Sequence, residues 1–299
     1  MAHRLREHEP LAFEIQRVFS ELLGGTLEHF AQVAEDTERR IHESRKNLKR
    51  ARAFLALVAP GLPKATVRRE ERTYRDVARR LSGARDAVVL RRALEAEHES
   101  IAITSAQLEA ARAALQQDGA HPDPAVLDEV RIVLAQALER VPEWTSELRS
   151  WKTVAAGFAK TYRRARRQMI RAADSGDGEE FHEWRKHVKW HLYQSALLRS
   201  VWPKKLGARD KRLDALAETL GRAHDLFELA RVLREGEGAS PELDAHLRRR
   251  YAALEAEALE LGGKLFEPPP AKLRKRLKVR LVEFAGAAYA GIPAREPSA

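Results

Sequence analysis

HESRKNLK, residues 42–49, returns as HEWRKHVK at residues 182–189. At an offset of 140, His42, Glu43, Arg45, Lys46 and Lys49 meet His182, Glu183, Arg185, Lys186 and Lys189. A second pair follows in the same order at an offset of 139. There LSGARDAVVL (81–90) meets LGRAHDLFEL (220–229), aligning Leu81, Ala84, Asp86 and Leu90 with Leu220, Ala223, Asp225 and Leu229. Two matches in one order at nearly one offset read as a duplicated unit of about 140 residues. The expected organisation is therefore two units, 1–140 and 141–299, meeting near residues 141–150.

The stretches between breaks are filled with Ala, Leu, Arg and Glu, which lose little entropy in a helix, and no segment alternates for long with a period of two. The fold class is all-α. Prolines such as Pro10, Pro60, Pro63, Pro124, Pro142, Pro203, Pro241 and Pro268–Pro270 sit where helices begin or end, and glycines such as Gly176 and Gly236 mark other turns. Helices are predicted at about 10–34, 36–58, 64–97, 99–117, 124–140, 144–174, 179–201, 204–235, 241–263 and 269–290. Short connections favour antiparallel neighbours, hence two antiparallel bundles.

The stripes become visible when residues 41–58 are wound at about 100° per residue. His42, Arg45, Lys46 and Lys49 stand at i, i+3, i+4 and i+7 in one stripe, with Leu48, Ala51, Leu55 and Val58 opposite. In the copy, His182, Arg185, Lys186, Lys189 and Tyr193 share a stripe while Trp184, Val188 and Leu198 face away. An ordinary amphipathic helix also has a charged face, but such faces mix signs at i,i+4 to gain small pair energies. Both stripes are basic apart from their histidines, which is the pattern of an anion site.

The next helix of the first copy continues it, with Arg68, Arg72, Arg75 and Arg79 on one face. Arginine suits phosphate because its planar fork donates two parallel hydrogen bonds. In the second copy Lys211 takes the place of Arg72, while Asp214 and Glu218 replace Arg75 and Arg79, and Lys204 and Arg222 compensate in part. The first stripe is accordingly expected to contribute more. A carboxylate among arginines repels phosphate, so Asp86 and Asp225 are assigned to bracing neighbouring side chains. His42 and His182 admit three roles: donating to phosphate, orienting an arginine, or packing between helices. His187 and His191 lack counterparts in the first copy and read as ordinary helix residues. Further basic clusters at 163–171 and 272–280 either extend the site or form a second surface.

Composition bounds the rest. Lys plus Arg number 54 against 44 Asp plus Glu, a net charge of +10, and the excess lies entirely beyond residue 150. Such a balance points to an anionic partner. With no cysteine, disulfides, thiolate metal sites and cysteine nucleophiles are excluded. The start, MAHRLREHEP, lacks the apolar core of a signal peptide, and no stretch approaches the roughly 18 apolar residues of a membrane span, so a cytoplasmic location is expected.

The duplicated H-E-x-R-K-x-x-K helix, each copy followed about 40 residues later by [RH]-D among apolar neighbours, resembles the CHAD family, the conserved-histidine α-helical domain. The resemblance runs from about residue 10 to residue 290. It implies two helical bundles, commonly of four helices, related by a pseudo-twofold around a basic groove or pore. It also implies binding of inorganic polyphosphate and association with polyphosphate granules. By position, the family's basic and histidine residues fall on His42, Arg45, Lys46, Lys49, His182, Arg185, Lys186 and Lys189, with Arg72, Arg79 and Lys211 on the following helices. The chain departs from symmetry at Trp190, which stands opposite Arg50, and at the acidic residues within 211–222.

Competing classes follow from the same residues. A nucleic-acid binder needs aromatic platforms, and the stripes carry only Tyr193. An enzyme needs more: HEWRKH sets its histidines at i and i+5 rather than the i,i+4 of a zinc helix, and no P-loop or magnesium-binding carboxylate cluster is legible. No metal or cofactor is called for. A phosphohistidine mechanism and a helical adaptor complete the alternatives.

Overall fold

The computed structural model describes residues 3–31, 37–81, 85–101, 103–115 and 123–286, and among these there is no β-strand. The first half supplies α1 (Leu11–Ala31), α2 (Thr37–Val58), α3 (Lys64–Arg80), α4 (Arg85–His98), α5 (Ser105–Ala114), α6 (Pro124–Glu139) and α7 (Val141–Thr145). The second supplies α8 (Lys152–Ser175), α9 (Gly178–Leu197), α10 (Pro203–Glu235), α11 (Pro241–Phe266) and α12 (Pro270–Ala285). No helix among the described residues is long and apolar enough to cross a membrane.

Local chemistry sets most boundaries. Proline occupies the first turn of α6, α7, α10, α11 and α12, where its missing N–H costs nothing. Asp177 caps α9 by accepting from the Glu179 N–H, and Gly176, at φ 62°, ends α8 in the left-handed region. Two expectations need correction. The helix predicted over 64–97 is two helices, because α3 closes at Leu81, whose N–H reaches the Val77 carbonyl. The helix predicted from 144 is a five-residue α7 and a separate α8, with a turn at 146–151 that contains neither glycine nor proline to betray it.

Three apolar cores hold the helices together. The largest joins α1, α2, α3, α6 and α7 to α8 and α12 through residues such as Phe19, Leu55, Tyr74, Leu134, Trp144, Phe158 and Leu281. The second lies within α8–α11 and centres on Tyr162, Trp184, Leu216 and Phe266. The third packs Leu90 and Leu94 of α4 and Ala111 of α5 against Leu226, Leu229, Leu243 and Leu247 of α10 and α11. Two of the three cores therefore draw on both sides of residue 140. Helices α2 and α9 share a local plan as well: each ends in a one-turn 3-10 helix, Ala59–Gly61 and Leu198–Ser200, before a new helix starts beside a proline.

Close packing fixes where α2 lies. At Gly157 of α8, an added Cβ would sit 1.7 Å from the Leu57 carbonyl oxygen, so the two backbones touch at that crossing. The faces assigned from periodicity are the faces that bury: Leu48, Ala51, Leu55 and Val58 on α2, and Trp184, Val188 and Leu198 in the copy, are at most 1% exposed. The opposite faces are thereby turned outward.

Candidate functional site

On α2 the outward face carries His42, Arg45, Lys46 and Lys49. Lys46 and His42 both lie by the Glu43 carboxylate, at 3.4 Å and 3.9 Å. One turn on, the Arg50 guanidinium lies 6.0 Å from the centroid of the Tyr193 ring, on α9. Arg52 lies 5.4 Å over Trp190, also on α9, and Gln194 donates 2.7 Å to the Ala53 carbonyl. These contacts lay α2 alongside α9, which brings the two stripes side by side.

On the α9 stripe His182, Arg185 and Lys189 are half-buried and Lys186 is exposed. Lys186 pairs with Glu183 one turn earlier. Arg185 is half-buried, and its Nε has no hydrogen-bond partner. It runs against α10 at Gly221, where a Cβ would lie 3.8 Å from that nitrogen. Burial lowers the Arg185 pKa, and Asp225 on α10 opposes that shift. Burial also holds Lys189 below the ordinary lysine value, with Arg185 adding to the effect and Asp214 and Glu218 working against it. His182 Nδ1 meets His224 Nδ1 at 3.1 Å, with ring centroids 4.2 Å apart. One ring must donate and the other accept, so the two rings are not both charged in this arrangement. Burial depresses His182, and Lys186 and Arg185 depress it further. His224 falls to about 3, through burial first and then His182, Arg185, Lys186 and Lys49.

Two of those influences cross from one repeat to the other. Lys49 of α2 acts on His224 of α10, and Lys46 of α2 acts on Lys189 of α9. The α2 and α9 stripes thus lie within electrostatic reach of one another, with Asp214, Glu218 and Asp225 acting from α10 on Lys189 and Arg185. Charges of one sign drawn together and partly desolvated repel, and an anion laid among them relieves that repulsion.

The other predicted residues lie on α3, α4 and α10. Arg68, Arg72, Arg75 and Arg79 of α3 are all exposed. Arg75 lies 3.2 Å from Asp76 and 3.7 Å from Glu71, and Arg79 lies 3.4 Å from Asp76. Lys211 is exposed on α10, one turn before Asp214. Arg222 turns toward α11 and Glu257, at 3.7 Å. Lys204, at the start of α10, lines a separate cavity with Trp202, Arg280 and Glu283. The side chain of Asp86 lies outside the described residues. His191 is fully buried and accepts from Arg209 Nε at 3.1 Å, while His187 stands edge-on to Trp190.

His224, the partner of His182, is the residue beside the α9 stripe that sequence reasoning did not single out. Its signal was the His-Asp dipeptide of LGRAHDLFEL, opposite Arg85 in the first copy. Among the described residues no three His, Asp or Glu side chains cluster as a metal site would require.

Comparison with known proteins comes to rest on this geometry. A family model described as the CHAD domain matches residues 17–234. No curated protein matches the chain. Among solved structures, the crystal structure of the CHAD domain from the plant Ricinus communis matches with a TM-score of 0.52 at 19% identity, covering 94% of each chain. At that identity the likeness is one of fold.

Proposed function

The chain belongs to the CHAD domain family, and from that premise we propose that it binds inorganic polyphosphate along a trough walled by α2, α9 and α10. The observation that supports this reading is that two basic stripes, 140 residues apart in sequence, lie on neighbouring helices with Lys46 near enough to Lys189 to help lower its pKa. A linear polyanion with one charge per phosphate fits such a surface better than a compact ligand does. Its oxygens take charge-assisted bonds from each stripe in turn. Having engaged one stripe, the chain meets the other at high effective concentration.

The protein acts as a binding module rather than as an enzyme, and it works in the cytoplasm on polyphosphate granules. The trough is two-walled by descent: the recurring order of helix, 3-10 turn and proline-started helix supports an ancestral duplication, with residues 1–140 and 141–299 as its descendants. Asp225 and Asp86 brace basic side chains rather than meeting the ligand. Single-stranded nucleic acid is disfavoured because Tyr193, the aromatic of the α9 stripe, lies half-buried with Arg50 over its ring.

The test is competition. Polyphosphate of defined length should displace RNA and heparin of matched charge, and affinity should rise with chain length. Equal affinity for orthophosphate and long chains, or preference for RNA, would overturn the assignment.

A further inference from the structure

A second cationic concavity lies on the opposite side of α10. Lys205, Arg209 and Arg212 stand at i, i+4 and i+7 on the face turned away from Glu218. The end of α11 brings Lys264, and the first turns of α12 bring Lys272 and Arg276, to a shared cavity of about 200 Å³. Apolar groups complete its wall, among them Leu265, Leu273, Trp202 and Tyr162, and no carboxylate lines it.

Four of its six charges have no ion-pair partner among the described residues. Lys264 holds Glu260 at 2.6 Å. No ion pair to Lys205, Arg212, Lys272 or Arg276 is formed among the described residues. Arg209 is the anchor: its Nε donates to His191, its guanidinium lies 5.0 Å over the Tyr162 ring, and its Nη2 is buried without an acceptor. Tyr162 is itself held by donating 2.6 Å to the Pro268 carbonyl, so the ring beneath Arg209 is fixed. Burial, with the nearby Arg212, lowers the Arg209 pKa to about 10, which leaves it charged at neutral pH. A solvated surface normally interleaves signs; six cations around an apolar-walled hollow amount to half of an ionic site.

We infer that the cavity between α10, α11 and α12, lined by Lys205, Arg209, Arg212, Lys264, Lys272 and Arg276, binds a compact, multiply charged phosphate anion. Its volume falls below the roughly 300–1,000 Å³ of pockets that enclose larger organic ligands, which points to a short phosphate chain. Arginine forks match phosphate oxygens bidentately, and the apolar wall strengthens each contact by excluding water. Two sources share this chemistry, a free short oligophosphate and the terminus of a long chain.

Calorimetry on the full chain with tripolyphosphate, at fixed salt, tests the site. The variant R212Q/K272Q/R276Q alters exposed positions only and should keep the wild-type unfolding transition. It should lose about tenfold or more in tripolyphosphate affinity, since several charge-assisted bonds go at once. The trough variant K46Q/K189Q should bind tripolyphosphate within about twofold of wild type, a change smaller than one such bond is worth. Loss of tripolyphosphate alone in the first variant identifies the free short anion; a parallel loss with long chains identifies a chain terminus. Wild-type affinity in the R212Q/K272Q/R276Q protein, equal loss in the trough variant, or no tripolyphosphate binding by the wild type would each overturn the inference. The trough reading is scored separately, on long chains.

Discussion

Replacing Arg185, Lys186 and Lys189 together with glutamine should halve the salt dependence of long-chain polyphosphate binding. Six cations of the trough are available to displace counterions: Arg45, Lys46 and Lys49 from one stripe, Arg185, Lys186 and Lys189 from the other. By analogy with single-stranded nucleic acid, each neutralised phosphate contributes about −0.7 to the slope of log affinity against log salt. Six contacts give a slope of about −4, and three give about −2. Raising salt from about 50 to 200 mM should then weaken wild type by about 250-fold and the variant by about 16-fold. Calorimetry at several salt concentrations, with chains of one defined length, measures both slopes. The reciprocal variant R45Q/K46Q/K49Q should lose slope equally, because each stripe offers one exposed and two half-buried cations. An unchanged slope would refute the reasoning. Halved stoichiometry at an unchanged affinity would refute the shared trough, leaving two independent sites.

Three further outcomes are expected. Glu43→Gln with Glu183→Gln frees Lys46 and Lys186 from their carboxylates and should tighten long-chain binding several-fold; weaker binding would mean that those pairs hold the lysines in place. The folded pKa values of His182 and His224 lie below the unfolded value of about 6.5, so their contribution is present at neutral pH and lost as the unfolded chain takes up protons on acidification, for His224 through a window from about 6.5 to about 3. His224→Asn should recover about 1–2 kcal/mol of the stability lost between pH 7 and 4 in urea titrations, an unchanged pH profile arguing against the burial reading. Gly157→Ala gains about 1 kcal/mol of helix propensity but drives a methyl into the Leu57 carbonyl, a clash only helix displacement relieves; a net loss of about 2 kcal/mol or more, with weakened polyphosphate binding, should follow, and an unchanged urea midpoint would refute it.

Much of this was legible because helical periodicity is a local property. Leu48, Ala51 and Leu55 had to face one way once residues 37–58 were helical, and that alone turned Arg45, Lys46 and Lys49 outward. What periodicity does not contain is which outward faces meet. Of the α3 arginines, Arg75 and Arg79 pair with Glu71 and Asp76 on their own helix, while Arg68 and Arg72 stand exposed, a difference that spacing alone does not show. Arg222 and Lys204 shared a helix with Asp214, but the rotation along α10 sends one toward Glu257 and the other to a distant cavity. His224 escaped notice because its significance depends on a partner 42 residues away. The break at 146–151 was invisible for a different reason. It is imposed by packing of Trp144 and Trp151 into the core rather than by a residue that refuses helix.

The third core has a consequence in time. Leu90, Leu94 and Ala111 bury against residues 226–254 of α10 and α11, so α4 and α5 emerge from the ribosome long before the surface that covers them exists. At about 5–20 residues per second, the interval between residues 115 and 254 lasts on the order of 10–30 s. Throughout it, the first half of the nascent chain carries an apolar face with nothing to pack on. Neighbouring chains on one message present the same face at the same moment, and the earliest available partner for α4 and α5 is another copy of themselves.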